Sequence, residues 1–324
     1  MTRALVTGAA GFVGSHLVDA LLRSGHQVCG IDNLITGDLE NLTEARKSAA
    51  FHFVQGDVAA DPDALRTRIE REASAAEVIF HLASPASPID YAALPIETML
   101  ANSRGTQFCL EAGKHWDARV LYASTSESYG DPLEHPQRET YWGNVNPVGP
   151  RSCYDESKRF GEAMVAAYVR LGGVDARTVR IFNTYGPRMR KNDGRVVPNF
   201  IAQATSGQPL TIYGNGAQTR SFCYVDDLVR GIILCAESDR TAGLVVNLGN
   251  PEEHPIGDFA AIVCDIVGVA LRIESRELPP DDPTRRCPDI SRARELLGWA
   301  PLVSLREGLQ RTIDAYRTAT VVPR

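Results

Sequence analysis

The chain has 324 residues, with 34 Lys and Arg against 40 Asp and Glu, a formal net charge of −6. That length is about twice the usual domain size, so an ample core removes the need for a disulfide or metal staple. The acidic balance argues against general nucleic-acid binding, and 44% hydrophobic with 23% charged residues excludes a disordered, collagenous or coiled-coil chain.

The first expected strand, Ala4–Val6, starts almost at the N-terminus and leaves no room for a signal peptide's apolar stretch. No segment approaches the ~18 consecutive apolar residues of a membrane span, so a cytoplasmic protein with no membrane partner is expected. Further strands are expected at Val28–Ile31, His52–Gln55, Val78–Leu82, Val120–Ala123 and Thr178–Phe182. Amphipathic stretches separate them, such as Val13, Leu17 and Leu21 spaced by four, and Ile96 through Ala112. This alternation predicts βαβ units and an α/β fold built on a Rossmann-type, doubly wound parallel sheet. After Phe182, Gly, Pro, Asn and Arg cluster in 183–195 and 213–220, the composition of irregular binding loops. A third irregular stretch, 279–288, precedes a final helix pair near Ser291–Leu297 and Leu305–Tyr316.

Seven scattered cysteines without a Cys-x-x-Cys pair read as reduced core thiols, and no metal is expected. Zincin, α/β-hydrolase and P-loop patterns are absent from the sequence.

Gly8-Ala-Ala-Gly11-Phe12-Val13-Gly14 follows the first strand and opens a helix. Glycines there let the backbone approach a pyrophosphate, whose charge meets the helix's free N–H groups. Asp32 closes the second strand 18 residues after Gly14, near the spacing of a carboxylate that binds a ribose 2′-hydroxyl. An acid there repels a 2′-phosphate, so NAD is favoured over NADP. The alternative is that Asp32 only caps the next turn. Asp57, closing the third strand, is a candidate adenine contact or a simple turn residue.

Tyr154 and Lys158 stand four apart on an expected helix and share a face. A phenol is a poor base at neutral pH, but the ammonium and a positive nicotinamide both stabilise its phenolate. The pair could then take a proton from a sugar hydroxyl; by chance alone the same spacing is a helix surface pair. Its place after the fifth strand, whose end reads Ser124-Thr125-Ser126-Glu127, puts it where open α/β sheets bind ligands.

Together with Asp32-Asn33, His81-Leu-Ala-Ser84 and Asn183-x-Tyr-Gly-Pro-Arg188, these motifs resemble the extended short-chain dehydrogenase/reductase family acting on nucleotide sugars. Its UDP-glucuronate decarboxylase branch is the most similar. The resemblance covers nearly the whole chain, through His81-Leu-Ala-Ser-Pro-Ala-Ser-Pro88, Tyr141-Trp-Gly-Asn-Val-Asn-Pro147, Asn192-Asp-Gly-Arg-Val-Val197 and Asn247-Leu-Gly-Asn-Pro-Glu-Glu-His254. It implies an NAD half, 1–182 with about 222–250, interleaved with a smaller C-terminal α/β substrate domain, 183–221 and 251–324. On the cofactor side it implies Gly8, Gly11, Phe12, Val13, Asp32, Asn33, Asp57, Val58, Leu82, Ala83, Tyr154, Lys158, Thr184 and Arg195. On the substrate side it implies Pro85, Tyr91, Asn183, Tyr213, Gln218, Arg220 and Arg286. Either arginine could instead be a solvated surface charge.

The implied reaction converts UDP-glucuronate to UDP-xylose through a 4-ketone, with NAD regenerated. Tyr154 is the base, Thr125 or Ser126 donates to the enolate, and Glu127 with Arg286 holds the water that protonates C5. A 4,6-dehydratase carries an Asp-Glu pair where this chain has Ser126-Glu127, and a 4-epimerase needs no acid there. These remain alternatives, as do release of the 4-keto pentose, a non-catalytic NAD-binding regulator, and Glu127 as a buried network residue. Glu97 and Leu100 stand where the branch has lysines expected to help hold the sugar carboxylate, and Phe108 where an asparagine is expected near the substrate. Ser157 replaces a usual glycine without expected harm. The helices near Ile96–Ala112 and Ser157–Leu171 resemble those forming a four-helix bundle across a homodimer.

Overall fold

The computed structural model describes residues 2–277 and 285–321, so most of the expected irregular stretch 279–288 lies outside the described residues. Six strands form where the apolar runs predict them: β1 Arg3–Thr7, β2 Gln27–Asp32, β3 Phe51–Gln55, β4 Val78–His81, β5 Arg119–Thr125 and β6 Ala176–Ile181. They pair in parallel in the order β6-β5-β4-β1-β2-β3, extended at the β6 edge by Val245–Leu248. That edge strand was not anticipated; it has four residues and a polar Asn247, which accepts a hydrogen bond from Tyr129 Oη at 2.8 Å.

Helices cover both faces: α1 Phe12–Arg23, α2 Pro62–Ala73, α3 Pro88–Ala93, α4 Pro95–Leu100, α5 Thr106–Trp116 and α6 Ser152–Arg170. Pro62 sits in the first turn of α2, where its missing N–H is no loss, and Asp61 caps Asp63 and Ala64 N–H groups. The stretch expected as one helix from Ile96 divides into α4 and α5 around a wider π-turn at Ala101–Gly105. There Asn102 Nδ2 donates to Ser157 Oγ at 3.0 Å, and a Cβ on Gly105 would meet Val58 Cγ2 at 2.7 Å.

Alternation along the strands separates two cores. Leu5, Ile79, Val120 and Tyr122 face α2, α5 and α6. Val6, Phe80, Leu121 and Val179 face the opposite way, in a core that continues into the chain's second half. That half contributes the strands β7 Thr184–Tyr185, β8 Leu210–Tyr213, β9 Thr219–Ser221 and β10 Cys223–Tyr224, then β11, the edge strand already described. β12 Glu253–Pro255 and β13 Ile273–Arg276 follow. Its helices are α7 Val196–Thr205, α8 Val225–Glu237, α9 Ile256–Val267, α10 Ser291–Leu297 and α11 Leu305–Val321. Outside the main sheet, the strands form three ribbons: β7 with β10, β9 with β12, and β8 with β13. The sheet order reverses between β1 and β4, and the carboxyl ends of these strands open onto two adjoining clefts.

Candidate active site

The first cleft lies over the ends of β1, β2 and β4. Gly8 is left-handed (φ +70°), and a Cβ on Gly14 would stand 2.0 Å from the Gly8 carbonyl oxygen, so only glycine permits this turn to close. Helix α1 starts at Phe12 with no side-chain cap, and Gly11, Phe12, Val13 and Gly14 line the cleft. Its uncapped first turn is therefore a cradle for an anion. Asp32 accepts from Ala10 N at 2.9 Å and Leu34 N at 2.8 Å. It thus braces the glycine turn and still lines the cleft, with Asn33, Asp57, Val58 and Ala83. The glycine cradle and the acid beside it fit a dinucleotide.

The second cleft, of about 400 Å³, lies over the ends of β5 and β6. It gathers Thr125, Ser126, Glu127, Tyr154, Lys158 and Arg286 from segments far apart in the chain. Asn183, Thr184, Tyr213, Gln218 and Arg220 line it as well. Phe12, Val13, Leu82 and Arg195 line both clefts, so the two are continuous.

Tyr154 and Lys158 share the buried face of α6 with Gly161 and Val165. Lys158 Nζ donates to the Ala123 carbonyl at 2.8 Å, and burial lowers its pKa to about 7. The expected activation of the phenol is not supplied by the chain alone. Burial and the nearby Glu127 charge push Tyr154 above its ordinary value, opposed by a hydrogen bond from Thr125. Lys158 Nζ stands 5.9 Å from the Tyr154 ring centroid.

Glu127 is half-buried between two guanidiniums, Arg151, from which it accepts a hydrogen bond, and Arg286 at 3.4 Å. Burial opposes its charge, but the arginines hold it well below the ordinary range. The neighbouring Asp155 is pushed upward by burial and by Glu127. Arg286 Nε is buried without a partner in a residue that lines the cleft, a donor suited to an anionic ligand.

Several expected positions fall elsewhere. Tyr91 does not line the second cleft; it is 2% exposed and stacks on Tyr154, with centroids 5.1 Å apart and planes at 11°. Pro85 lines the first cleft, as do Glu97 and Leu100, and none of the three lines the second. Phe108 belongs to the core between the sheet and α5 and lines neither cleft. Ser157 has a structural role, since its Oγ accepts from Asn102 and donates to the Tyr154 carbonyl at 3.0 Å.

Residues 5–312 match the family model described as GDP-mannose 4,6 dehydratase. The chain belongs to this family. It is a family of extended short-chain dehydrogenase/reductases. UDP-glucuronic acid decarboxylase 1 of Xenopus tropicalis is 49% identical over 315 residues, 97% of this chain and 72% of that protein. UDP-glucuronic acid decarboxylase 3 of Arabidopsis thaliana is 47% identical over 323 residues, 99% of this chain and 91% of that protein. Among solved structures, UDP-glucuronic acid 4-epimerase from Bacillus cereus, in complex with UDP-glucuronic acid and NAD, aligns with a TM-score of 0.87 and 31% identity. It covers 98% of this chain and 99% of that one. UDP-glucose 4-epimerase from Thermotoga maritima, with UDP-glucose, aligns with a TM-score of 0.89 and 28% identity over 98% and 99% of the two chains.

Within this short-chain dehydrogenase/reductase framework, sequence reasoning missed Arg151, which lines the second cleft, and Asp155, which neighbours Glu127. A signal was present: the two flank Tyr154 at the start of α6, with Arg151 at its N-cap.

Proposed function

We propose that the protein is an NAD-dependent UDP-glucuronate decarboxylase that releases carbon dioxide and forms UDP-xylose. Two lines support the reading: relatives of that name at 47–49% identity over almost the whole chain, and the state of Glu127. The latter carries it structurally. A dehydratase needs an acid to protonate a leaving hydroxyl, whereas Glu127 is held ionised between Arg151 and Arg286 and is preceded by Ser126. Decarboxylation needs no such acid.

The first cleft would hold NAD, with the pyrophosphate over Gly8 and Gly11, the ribose at Asp32 and the adenine near Asp57 and Val58. The cofactor supplies reversible hydride acceptance at sugar C4, so that the C6 carboxylate becomes β to a carbonyl, and a positive charge beside Tyr154. Tyr154 accepts the C4 hydroxyl proton and later returns it. Carbon dioxide then leaves with its bonding electron pair retained as an enolate, whose oxygen accepts from Thr125 or Ser126 and the reprotonated Tyr154. A water held beside the Glu127–Arg286 pair delivers the C5 proton, and the hydroxide left behind takes a proton from solvent. Arg220, Arg286 and Asn183 receive the diphosphate, while Tyr213 and Gln218 face the nucleoside.

Residues 1–182 with 222–250 form the cofactor half in this reading, and the remainder the substrate half. Exposed Ile96, Met99 and Phe160, on α4 and α6, support a homodimer joined through those helices. No helix among the described residues is long and apolar enough to cross a membrane, and we propose a cytoplasmic location.

Supplying UDP-glucuronate and NAD and following carbon dioxide and the nucleotide sugar tests the reading. Stoichiometric carbon dioxide and UDP-xylose are expected. Epimerised UDP-glucuronate without carbon dioxide, or turnover only of an NDP-hexose, would replace it with an epimerase or dehydratase; carbon dioxide with a 4-keto pentose would correct the product alone.

A further inference from the structure

We propose that His135, Glu253 and Cys287 form a binding site for a divalent transition-metal cation of the Zn²⁺ class. The His135 nitrogen, a Glu253 carboxylate oxygen and the Cys287 sulfur all lie within 4.8 Å of one another. A tetrahedral Zn²⁺ with bonds of about 2.0–2.3 Å sets its ligand atoms roughly 3.3–3.8 Å apart, so small side-chain movements complete the geometry. One nitrogen, one sulfur and one carboxylate are the donor set of a borderline cation; Mg²⁺ and Ca²⁺ require oxygen ligands. The carboxylate and a thiolate together neutralise the cation's charge.

The ligands are held before any metal arrives. Glu253 Oε1 accepts from Thr219 Oγ1 at 2.6 Å, while Oε2 meets His135 Nε2 at 2.8 Å. Cys287 is 5% exposed, and its thiol donates to the Pro251 carbonyl at 3.3 Å. Two hydrogen bonds tie its segment to the His135 loop: Gln137 N to the Cys287 carbonyl at 2.9 Å, and Cys287 N to Gln137 Oε1 at 2.8 Å. Preorganisation of this kind lowers the entropic cost of binding. His135 is exposed, leaving solvent access and a fourth position for water. On binding, the Cys287 thiol proton goes to solvent, and the imidazole carries its proton on Nδ1 with Nε2 on the metal.

Cys287 directly follows Arg286, whose side chain meets Glu127 in the second cleft. A cation on Cys287 would therefore pin the backbone that presents Arg286. Among the described residues no other group of at least three His, Cys, Asp and Glu side chains is so placed, so a thiolate signal would report this site.

The test uses tag-free, full-length protein treated with EDTA and titrated with Co²⁺, then Zn²⁺. A thiolate-to-cobalt charge-transfer band is expected, saturating at one Co²⁺ per chain and bleached by Zn²⁺. Cys287→Ser should abolish the band, and His135→Asn, a change at an exposed residue, should weaken Co²⁺ binding at least about tenfold with an unchanged circular dichroism spectrum. No band in the parent protein, or an equal band in Cys287→Ser, would overturn the site. Zn²⁺ should also slow amide exchange at Cys287, and unchanged exchange with metal bound would overturn the pinning of the Arg286 segment.

Discussion

Tyr154 must lose and regain a proton in the proposed reaction, yet burial and Glu127 both oppose its ionisation. The hydrogen bond from Thr125 works the other way, and the positive nicotinamide ring would add to it. Tyr154→Phe keeps the stacking on Tyr91 but removes the proton acceptor. Turnover should fall by at least ~10²-fold while NAD still binds, as measured by carbon dioxide release and cofactor titration. Retained turnover would place the base elsewhere.

Asp155 gives a pH signature. Its pKa rises from the ordinary carboxyl value to about 8 in the folded chain, through burial and the Glu127 charge, so the folded state binds the proton more tightly than the unfolded one. The stability this contributes is fully present below the ordinary carboxyl range and is lost as pH rises toward about 8. Lys158, lowered to about 7, contributes stability that grows with pH above that value. The clean window is therefore pH 5–7. Asp155→Asn should gain stability relative to the parent across it, by up to about 1.4 kcal/mol per pH unit, in urea unfolding. A constant difference would show that Asp155 is ionised in the fold.

At the scale of elements, α6 carries Tyr154 and Lys158 and must approach β5 closely. Gly161 permits this, since a Cβ there would stand 2.2 Å from the hydroxyl of the fully buried Tyr122. That hydroxyl donates to the Lys158 carbonyl, and Lys158 reaches Ala123 on the same strand. Gly161→Ala should cost about 1–3 kcal/mol of stability through overpacking and lower kcat more than NAD affinity, because the displaced face carries the proposed base Tyr154. Unfolding and steady-state kinetics read both. Beneath this pair, Arg180 clamps Glu162 with contacts of 2.9 and 2.7 Å, and Glu162 accepts from Ser124. The end of β5 is thus fixed from behind.

At the scale of the molecule, one core joins the sheet to the second half. Trp299 is fully buried in it, with Nε1 donating to the Asp227 carbonyl at 2.9 Å. A Cβ on Gly231 would meet its indole at 2.9 Å, so α8 packs directly on the ring. Trp299→Ala should remove about 3–5 kcal/mol, shifting the unfolding of both halves together in calorimetry. Separate transitions would show that the halves are stabilised independently.

The first six strands and the α6 face were legible in the sequence because apolar runs and a 3.6-residue period are local signals. The glycine turn and Asp32 were legible for the same reason, being tied to the ends of β1 and β2. β11 was not, since four residues with a central Asn carry too little pattern. Which cleft Glu97, Leu100 and Pro85 line, and that Tyr91 stacks on Tyr154, depended on how helices pack on the sheet. Sequence by itself determined the alternating architecture, the glycine turn after β1 and the shared face of Tyr154 and Lys158. Tertiary structure alone decided that His135 meets Glu253 across 118 positions, and it turned the implied proximity of Glu127 and Arg286, 159 positions apart, into a direct contact. Periodicity reports a residue's neighbours within a turn or a strand, whereas charge pairing and ligand clusters are set by chain closure over distances no local pattern encodes.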